Sequence, residues 1–340
     1  MNLTTAIRQV CAHQDLDAPA MRAVMQQIMQ GQASAAQISG FLIGLHMKGE
    51  TVTEIAAAAQ VMRELALPVE VTDRRHLMDT CGTGGDGQSL FNVSTAVAFI
   101  VAAAGGKVAK HGNRSVSSRC GSADVLEAAG VRLDLAPAQV THCIAELGVG
   151  FMFAPAHHQA TRHVAQIRRE LGVRTVFNLL GPLTNPARVP CQLVGVYAAH
   201  WVRPLAEVLQ ALGGRHVLVV HAEDGLDEIS IAANTQVAEL RDGIIREYRL
   251  DPAAFGLAHA TLATLHVTDA QASLRLLRQV FAGAPGPARD IVLINAAAAL
   301  YAADLAEDLH AGLQLARQVI DTGAAAERLE QLIHFSHQPI

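Results

Sequence analysis

A cluster of glycines is the feature that most restricts the folds open to this chain. Gly82, Gly84, Gly85 and Gly87 place four glycines within six residues, directly after a short apolar run. Because glycine has no Cβ, such a loop lets the backbone approach a ligand closely and point several N–H groups inward. An apolar helix is predicted after the loop. The order of strand, glycine loop and helix predicts an α/β unit with a ligand at the loop.

Polar residues at the start of that helix favour an anionic ligand. Asn92 is a good N-cap residue, and Ser94 and Thr95 place hydroxyls in the first turn, where free amides and the helix dipole attract anions. After the next predicted strand, residues 107–119 hold two lysines, two arginines, three serines and no acid. Two such loops after successive strands predict a phosphate-rich ligand at the carboxyl edge of a parallel sheet.

The glycine pattern alone is compatible with other sites. Gly82, Gly84 and Gly87 also match G-x-G-x-x-G, but no Asp or Glu lies between Asp86 and Asp124. A dinucleotide-binding fold requires an acidic residue about 20 positions after the glycines, so the sequence argues against a dinucleotide site. No G-K-[ST] follows, which argues against a Walker motif. A purely structural glycine turn beside an exposed basic loop is the remaining alternative.

The periodicity of apolar residues changes along the chain. The first 65 residues are helical: Asp17 and Pro19 open one predicted helix, and capping boxes beginning at Ser34 and Thr51 open two more. From about residue 75, short β-rich runs alternate with helical stretches, and residues 290–332 are helical again. The predicted strands are 77–79, 107–110, 192–197 and 217–221, with 243–248 and 264–267 of undetermined direction. The predicted fold class is α/β, with a small N-terminal all-helical domain and a larger α/β domain whose mostly parallel central sheet is flanked by helices.

Composition narrows the functional classes. The 340 residues, 51% of them hydrophobic, allow a large core and favour two domains. A formal net charge of −5 argues against non-specific binding of nucleic acid or an anionic membrane. The five scattered cysteines are typical of reduced thiols, and we see neither a signal-peptide core nor an apolar run near the ~20 residues of a membrane span. We therefore expect a cytoplasmic protein with no nucleic-acid or membrane partner.

Six longer motifs carry more specific information. They are GTGGDG at 82–87, FNVST at 91–95, KHGNRSVSS at 110–118, GSADVLEAAG at 121–130, RTVFNLLGPLTNP at 174–186 and HAEDGLDEIS at 221–230. In this order, and over nearly the whole chain, they resemble the anthranilate phosphoribosyltransferase family. The resemblance implies a glycosyltransferase of tryptophan biosynthesis. It would transfer the phosphoribosyl group of phosphoribosyl pyrophosphate to the amine of anthranilate and release pyrophosphate.

The resemblance also implies an organisation. It implies a helical domain of residues 1–70, completed by part of 168–190, and an α/β domain of residues 71–340 that binds phosphoribosyl pyrophosphate. The two substrates would lie at the hinge, with Mg²⁺ as the cofactor. A homodimer would form through the helical domains.

Individual residues receive roles from the same resemblance. The residues implied to bind the donor are Gly82, Gly85, Asp86, Asn92, Val93, Ser94, Thr95, Lys110, His111, Gly112, Asn113, Arg114, Ser115, Val116, Ser117, Ser118 and Ser122. Those implied to bind anthranilate are Gly82, Asn113 and Arg168, and those implied to bind the metal are Ser94, Asp227 and Glu228. Leu90 stands where the family usually has a hydroxyl residue, so we expect that donor contact to be absent.

The expected chemistry depends on charge stabilisation more than on proton transfer. A neutral aryl amine is already a nucleophile, so we assign no general base. The role of His111 stays undecided between contact with a substrate and packing. For His157 and His158 we expect that they line the pocket rather than bind a metal as a pair. The alternative for Arg168 is a surface ion pair with Glu170 or with another acid. A pyrimidine nucleoside phosphorylase and a non-catalytic nucleic-acid-binding relative are the alternative functions.

Overall fold

A helical bundle precedes an α/β sheet in the computed structural model, which describes residues 1–115, 119–259 and 261–338. The helices are α1 Leu3–Cys11, α2 Ala18–Met29, α3 Ala35–Lys48, α4 Val52–Leu65, α5 Val93–Ala103, α6 Ser122–Ala129, α7 Pro137–Leu147, α8 Ala154–His157, α9 Arg162–Leu171, α10 Val176–Leu183, α11 Val202–Ala211, α12 Ala270–Phe281, α13 Pro287–Ala302, α14 Leu309–Asp321 and α15 Ala324–Ser336. The strands are β1 Leu77–Gly82, β2 Lys107–Gly112, β3 Val149–Phe153, β4 Cys191–Gly195, β5 His216–Ala222, β6 Thr235–Arg241 and β7 Ile244–Leu250. The predicted fold class is confirmed.

Local sequence signals determine where the first helices begin. Asp17 caps α2 by accepting from the amide of Ala20, and capping boxes open α3 at Ser34 and α4 at Thr51. Each cap satisfies amides that the helix itself leaves free. These three helix starts were predicted from the sequence and are confirmed.

The order of the strands creates the crevice in which a ligand is expected. The sheet order is β3-β2-β1-β4-β5-β6-β7, and the five strands from β3 to β5 run parallel. The chain passes outward from β1 through β2 to β3 and then returns to place β4 on the other side of β1. Ligands of open α/β sheets bind where the strand order reverses, at the carboxyl ends of the strands. In this sheet that point lies between β1 and β4.

Two hydrophobic clusters cover the two faces of the sheet. On β5, Leu218 and Val220 belong to one cluster and Val217 and Val219 to the other, as the two-residue period of a strand requires. The first cluster includes α5 and the C-terminal helices, and the second includes α1–α4, α9, α10 and α11. The second cluster therefore joins part of the 168–190 segment to the N-terminal helices, while the boundary near residue 70 stays a prediction.

Four segments add to the strand prediction or differ from it. Strands β3 and β6 were not predicted, and residues 243–248 lie in β7, antiparallel to β6. The predicted strand at 264–267 is wrong: the chain forms one 3₁₀ turn at Ala263–Leu265, and an isolated bridge joins Leu90 to His266. Among the described residues, no helix is both long and apolar enough to cross a bilayer.

Candidate active site

The glycine loop leaves β1 in backbone conformations that favour glycine. Gly84, Gly85 and Gly87 have φ angles of +63°, +78° and +77°, which residues with a Cβ rarely adopt. The amide of Thr83 donates to the carbonyl of Gly195, 2.9 Å away, at the end of β4. The loop is thereby tied to the crevice between β1 and β4.

Two acidic residues from the loop after β5 meet the glycine loop and the start of α5. Asp227 Oδ2 accepts a hydrogen bond of 2.8 Å from the amide of Gly84. Glu228 Oε1 accepts one of 3.2 Å from the amide of Ser94. The glycine loop, the first turn of α5 and the paired acids therefore form one site.

Two glycines make room for Asp227. A Cβ on Gly82 would lie 2.5 Å from Asp227 Oδ2, and a Cβ on Gly195 would lie 1.5 Å from the backbone oxygen of Asp227. Backbone atoms cannot yield as a flexible side chain does, so Gly195 admits no larger residue without moving the acidic loop. The absence of two side chains thus determines where this carboxylate lies.

The paired acids hold their protons more tightly than ordinary carboxyl groups. Burial and the nearby carboxylate of Asp86 together raise the pKa of Asp227 to about 7. Burial and the charge of Asp227 raise the pKa of Glu228 to about 8, while Lys110 acts in the opposite direction. Grouped carboxylates in a partly desolvated cleft have this behaviour, and a bound cation would reverse it.

Lys110 supplies positive charge beneath the site. Its side chain is buried, donates to the carbonyl of Thr80 and lies 3.3 Å from Ser94 Oγ. Burial lowers the pKa of Lys110, and the charges of Asp79 and Glu228 oppose that effect. The ammonium is therefore held next to the first turn of α5, where an anionic ligand is expected.

Asn92 does not cap α5 with its side chain, which corrects the sequence interpretation. Its Oδ1 accepts from Ser273 Oγ at 2.7 Å and from Cys120 Sγ at 3.0 Å, and its Nδ2 donates to the carbonyl of Cys120. The helix begins at Val93 without a side-chain cap. The amide of Ser94 bonds to Glu228 instead.

The second predicted loop begins at the end of β2 and runs to α6. A Cβ on Gly112 would lie 2.1 Å from Ser122 Oγ, so these two residues are in close contact. Arg114 pairs with Glu127 and Asp124 of α6, and the amide of Ser115 also donates to Asp124. Three residues assigned to donor binding, Val116, Ser117 and Ser118, lie outside the described residues.

The residues assigned to anthranilate lie on elements from both hydrophobic clusters. Arg168 is half-buried on α9, with its guanidinium 5.4 Å from the ring centroid of Phe177. Burial lowers the pKa of Arg168. The carboxylate of Glu170 accepts from Gln166 at 2.8 Å, and no ion pair in the described ranges joins Glu170 to Arg168. Asn113 is exposed just after β2, and no hydrogen bond in the described ranges joins it to Arg168.

Two buried histidines near the ends of β2 and β3 face one another. The rings of His111 and His158 lie 5.0 Å apart, and burial lowers the pKa of both, that of His158 to about 4. Within the described part of the chain, His111 Nε2, His158 Nε2 and Thr95 Oγ1 have no hydrogen-bond partner. His157 Nδ1 lies 3.1 Å from the carbonyl of Leu67, which connects it to the segment after α4.

Comparison with known proteins accounts for nearly the whole chain. Residues 4–66 match the model of the glycosyl transferase family helical bundle domain, and residues 74–326 match that of the glycosyl transferase family a/b domain. Anthranilate phosphoribosyltransferases from Thioalkalivibrio sulfidiphilus and Alkalilimnicola ehrlichii are each 60% identical to the chain. The alignments cover 99% of this chain and 99% and 100% of those proteins. The chain belongs to the anthranilate phosphoribosyltransferase family. It is accordingly a pentosyltransferase, and the function predicted from the sequence is confirmed.

Solved structures of the anthranilate phosphoribosyltransferase family have the same fold. The crystal structure from Thermus thermophilus is 44% identical, with a TM-score of 0.92 over 98% of this chain and 99% of that one. The enzyme from Saccharomyces cerevisiae in complex with PRPP and Mg is 26% identical, with a TM-score of 0.89 over 98% of this chain and 97% of that one. The similarity thus spans both the helical bundle and the sheet.

The donor set of this family member suits a hard divalent cation. Asp227, Glu228 and Ser94 offer carboxylate and hydroxyl oxygens, and burial together with repulsion from neighbouring carboxylates raises the pKa of both acids. No set of three or more His, Cys, Asp or Glu side chains in the described ranges is arranged to hold a metal by itself. Mg²⁺ commonly takes only one or two carboxylates and completes its shell with water and phosphate oxygens. The residues therefore fit Mg²⁺ bound together with a phosphorylated substrate.

Sequence reasoning gave no role to four residues that shape this site. Gly195 leaves room for Asp227. Both Arg174 and Tyr197 contact residues of the glycine loop. Asn295 of α13 bonds to the backbone N–H and the carbonyl of Ile229. Asn295 carried a signal, since it is an amide within the alanine-rich apolar stretch 291–300. A buried amide needs partners, so its position indicates a structural contact. The other three depend on which loops the sheet brings together.

Proposed function

We propose that the chain transfers the phosphoribosyl group of phosphoribosyl pyrophosphate to the amine of anthranilate at the site formed by the glycine loop, α5 and the paired acids. The observation that carries this proposal is the direct contact of Asp227 with Gly84 and of Glu228 with Ser94. Amides that can bind an anion are thus hydrogen-bonded directly to carboxylates that can bind a cation. A magnesium pyrophosphate group presents both kinds of partner.

Charge stabilisation on the leaving group is the main task of these residues. Breaking the bond between C1 of the ribose and the pyrophosphate builds positive charge on the sugar and negative charge on the leaving oxygens. Asp227, Glu228 and Ser94 would hold Mg²⁺, which would supply neutralising charge to the pyrophosphate. Lys110 adds a full positive charge near Ser94. The amides of the glycine loop and of the first turn of α5 add the positive ends of their dipoles.

The acceptor needs orientation more than activation. Arg168 offers a planar fork that binds a carboxylate with two parallel hydrogen bonds, and it has no competing ion pair among the described residues. Asn113 and Gly82 would contact anthranilate from the α/β side. Since Arg168 lies on a helix packed with the N-terminal bundle, closing the hinge would bring the two sides together and exclude water.

Arg168→Ala tests the acceptor site. Losing charge-assisted hydrogen bonds worth about 1.5–3 kcal/mol each raises KM for anthranilate at least about tenfold, with a smaller change for the donor. Steady-state assays of anthranilate fluorescence measure both constants. Arg169→Ala, which removes the exposed neighbouring charge on α9, is the matched control. Equal weakening of both substrates by Arg168→Ala would contradict the assignment.

The overall reaction has a direct test. Anthranilate fluorescence should fall only when the chain, phosphoribosyl pyrophosphate and Mg²⁺ are all present. Loss of thymidine or uridine with phosphate, and no loss of anthranilate, would favour the nucleoside phosphorylase alternative.

We also propose a homodimer formed through a helical domain of residues 1–70 that is completed by part of 168–190. Met47, which is 71% exposed near the end of α3, supports an apolar contact on this domain. Sedimentation at micromolar concentration measures the mass, and Met47→Glu should lower it to that of a monomer. The five unpaired cysteines support function in a reducing compartment such as the cytoplasm.

A further inference from the structure

One arginine contacts the glycine loop from the link between α9 and α10. The guanidinium of Arg174 donates to the carbonyl of Gly85 and lies 4.4 Å from the ring centroid of Tyr197. Arg168, at the proposed acceptor site, lies six positions earlier on α9. Arg174 therefore connects the segment of the acceptor site to the loop of the donor site.

Tyr197 is a fixed platform for this contact. Its amide donates to Thr83 Oγ1 at 3.0 Å, and its hydroxyl accepts from Trp201 Nε1 at 3.0 Å. Trp201 is buried. A ring held at its backbone and at its hydroxyl gives the exposed guanidinium of Arg174 one preferred position.

The contact with Gly85 determines which way the next amide points. The carbonyl of Gly85 and the N–H of Asp86 belong to one planar trans peptide, so they point in opposite directions. Because the guanidinium of Arg174 binds the carbonyl of Gly85, the N–H of Asp86 points away from Arg174. Gly85 has a φ of +78° and would otherwise be free to adopt other conformations, because glycine restricts the backbone least.

We propose that Arg174, stacked on Tyr197, is a positioning residue that holds the glycine loop in the conformation that binds the pyrophosphate of the donor. This inference rests on the proposed function, since it concerns the donor of that reaction. Arg174 acts through the peptide between Gly85 and Asp86. Its loss therefore affects donor binding more than acceptor binding.

The single tryptophan provides a direct readout of donor binding. Trp201 donates to Tyr197, so its fluorescence reports on the platform, and a titration with phosphoribosyl pyrophosphate and Mg²⁺ needs no anthranilate and no turnover. Arg174→Ala should weaken donor binding about five- to thirtyfold, the range for losing one or two kcal/mol. Arg174→Lys, which can donate to the carbonyl but cannot stack as a plane, should recover part of the loss.

A double-mutant cycle distinguishes the joint action of Arg174 and Tyr197 from a general loss of structure. If Arg174 acts only when stacked on Tyr197, the variant Arg174→Ala/Tyr197→Ala should bind donor no worse than Arg174→Ala alone. Arg203→Ala is the matched control, because Arg203 is paired on the surface of α11 with Glu207 and Glu247. Thermal unfolding by circular dichroism should give similar melting temperatures for Arg174→Lys and Arg203→Ala.

Two outcomes overturn the proposal. One is donor binding by Arg174→Ala equal to that of Arg203→Ala, and the other is additive losses from Arg174→Ala and Tyr197→Ala. Failure of the proposed function would look different: the unaltered chain would bind no donor, or would bind it without consuming anthranilate. In the second case the fluorescence titration still decides whether Arg174 holds the loop.

Discussion

Gly195 influences the site through the side chain that it lacks. The backbone oxygen of Asp227 occupies the space that a Cβ on Gly195 would require, only 1.5 Å away. A larger residue at this position must move the acidic loop away from Gly84. The position of one carboxylate therefore depends on a residue that takes no part in the chemistry.

We predict that Gly195→Ala lowers kcat/KM about a hundredfold, the loss that a displacement of about 1 Å brings at a reacting site. Its Mg²⁺ requirement should also rise, because Asp227 no longer meets the loop correctly. The anthranilate assay at several Mg²⁺ concentrations measures both effects. Gly40→Ala is the control, since its Cβ would meet only Ile7 Cδ1 at 3.9 Å. Full activity in Gly195→Ala would show that the acidic loop tolerates the shift.

Asn92 shows how a single residue escapes sequence reasoning. Its type and its place before an apolar run predict an N-cap, and it does precede α5. Its side chain bonds instead to Ser273 and Cys120, which are 181 and 28 residues away. Local propensity predicts the start of the helix, but the choice of hydrogen-bond partner depends on which distant elements pack beside it.

The start of α4 combines a cap with a buried ion pair. Glu54, which is fully buried, accepts from the amides of Thr51 and Leu16 and lies 2.9 Å from Lys48 Nζ. One side chain thus joins α4 to the end of α3 and to the segment before α2. The sequence predicted the capping box from T-x-x-E, and the ion pair was not predicted.

We predict that Glu54→Ala lowers the free energy of unfolding by about 3 kcal/mol, the lower end of the range for breaking a buried pair, because Asp15 still neutralises Lys48. Urea unfolding followed by circular dichroism measures the change. Ser34→Ala removes only the exposed cap of α3 and should lower it by about 1 kcal/mol. Equal changes in the two variants would mean that the pair with Lys48 contributes nothing.

Strands β3 and β6 were not predicted, and the predicted strand at 264–267 does not form. β3 contains Gly150, whose Cβ position is filled by Ile144 and Val140 of α7. β6 contains both polar and apolar residues without strict alternation, and it pairs antiparallel with β5 along seven residues. The segment 264–267 has β-forming residues, but only His266 finds a bridge partner. β3 and β6 are strands because they pair with a neighbouring strand, and the segment 264–267 is not because it lacks such a partner. Sequence periodicity does not report this pairing.

The raised pKa values of the paired acids should appear as a pH dependence of the whole molecule. Asp227 and Glu228 have folded pKa values of about 7 and 8, above the ordinary values of 3.8 and 4.5. The folded chain therefore binds protons more tightly than the unfolded chain in this interval. The stability of the metal-free protein should therefore fall as pH rises from about 4 to about 8 and change little above pH 8.

Thermal unfolding of the metal-free protein between pH 5 and pH 9 measures this effect. Asp227→Asn, which cannot ionise, should show a shallower decline across the same interval. Added Mg²⁺ should stabilise the protein more at pH 8 than at pH 6, since the metal binds the deprotonated acids. A melting temperature that stays constant, or that rises, from pH 6 to pH 8 without metal would show that these acids titrate normally.

The sequence by itself determined the features that depend on neighbouring residues. The glycine loop, the capping boxes of α3 and α4 and the alternation of strands and helices follow from backbone freedom, local hydrogen bonds and apolar spacing. These signals, together with the motifs, were sufficient for the fold class and the family. The family resemblance, rather than these local signals, selected Asp227 and Glu228 as candidate metal ligands.

Only the tertiary structure decided which of these features meet. Gly84 and Asp227 are 143 residues apart, and they touch because β4 inserts between β1 and β5 and brings three carboxyl strand ends together. Contacts through Gly195, Arg174 and Asn92 have the same origin. Strand order results from the packing of the whole core, in which each contact is favourable only when the others are present, so no local stretch of sequence contains it.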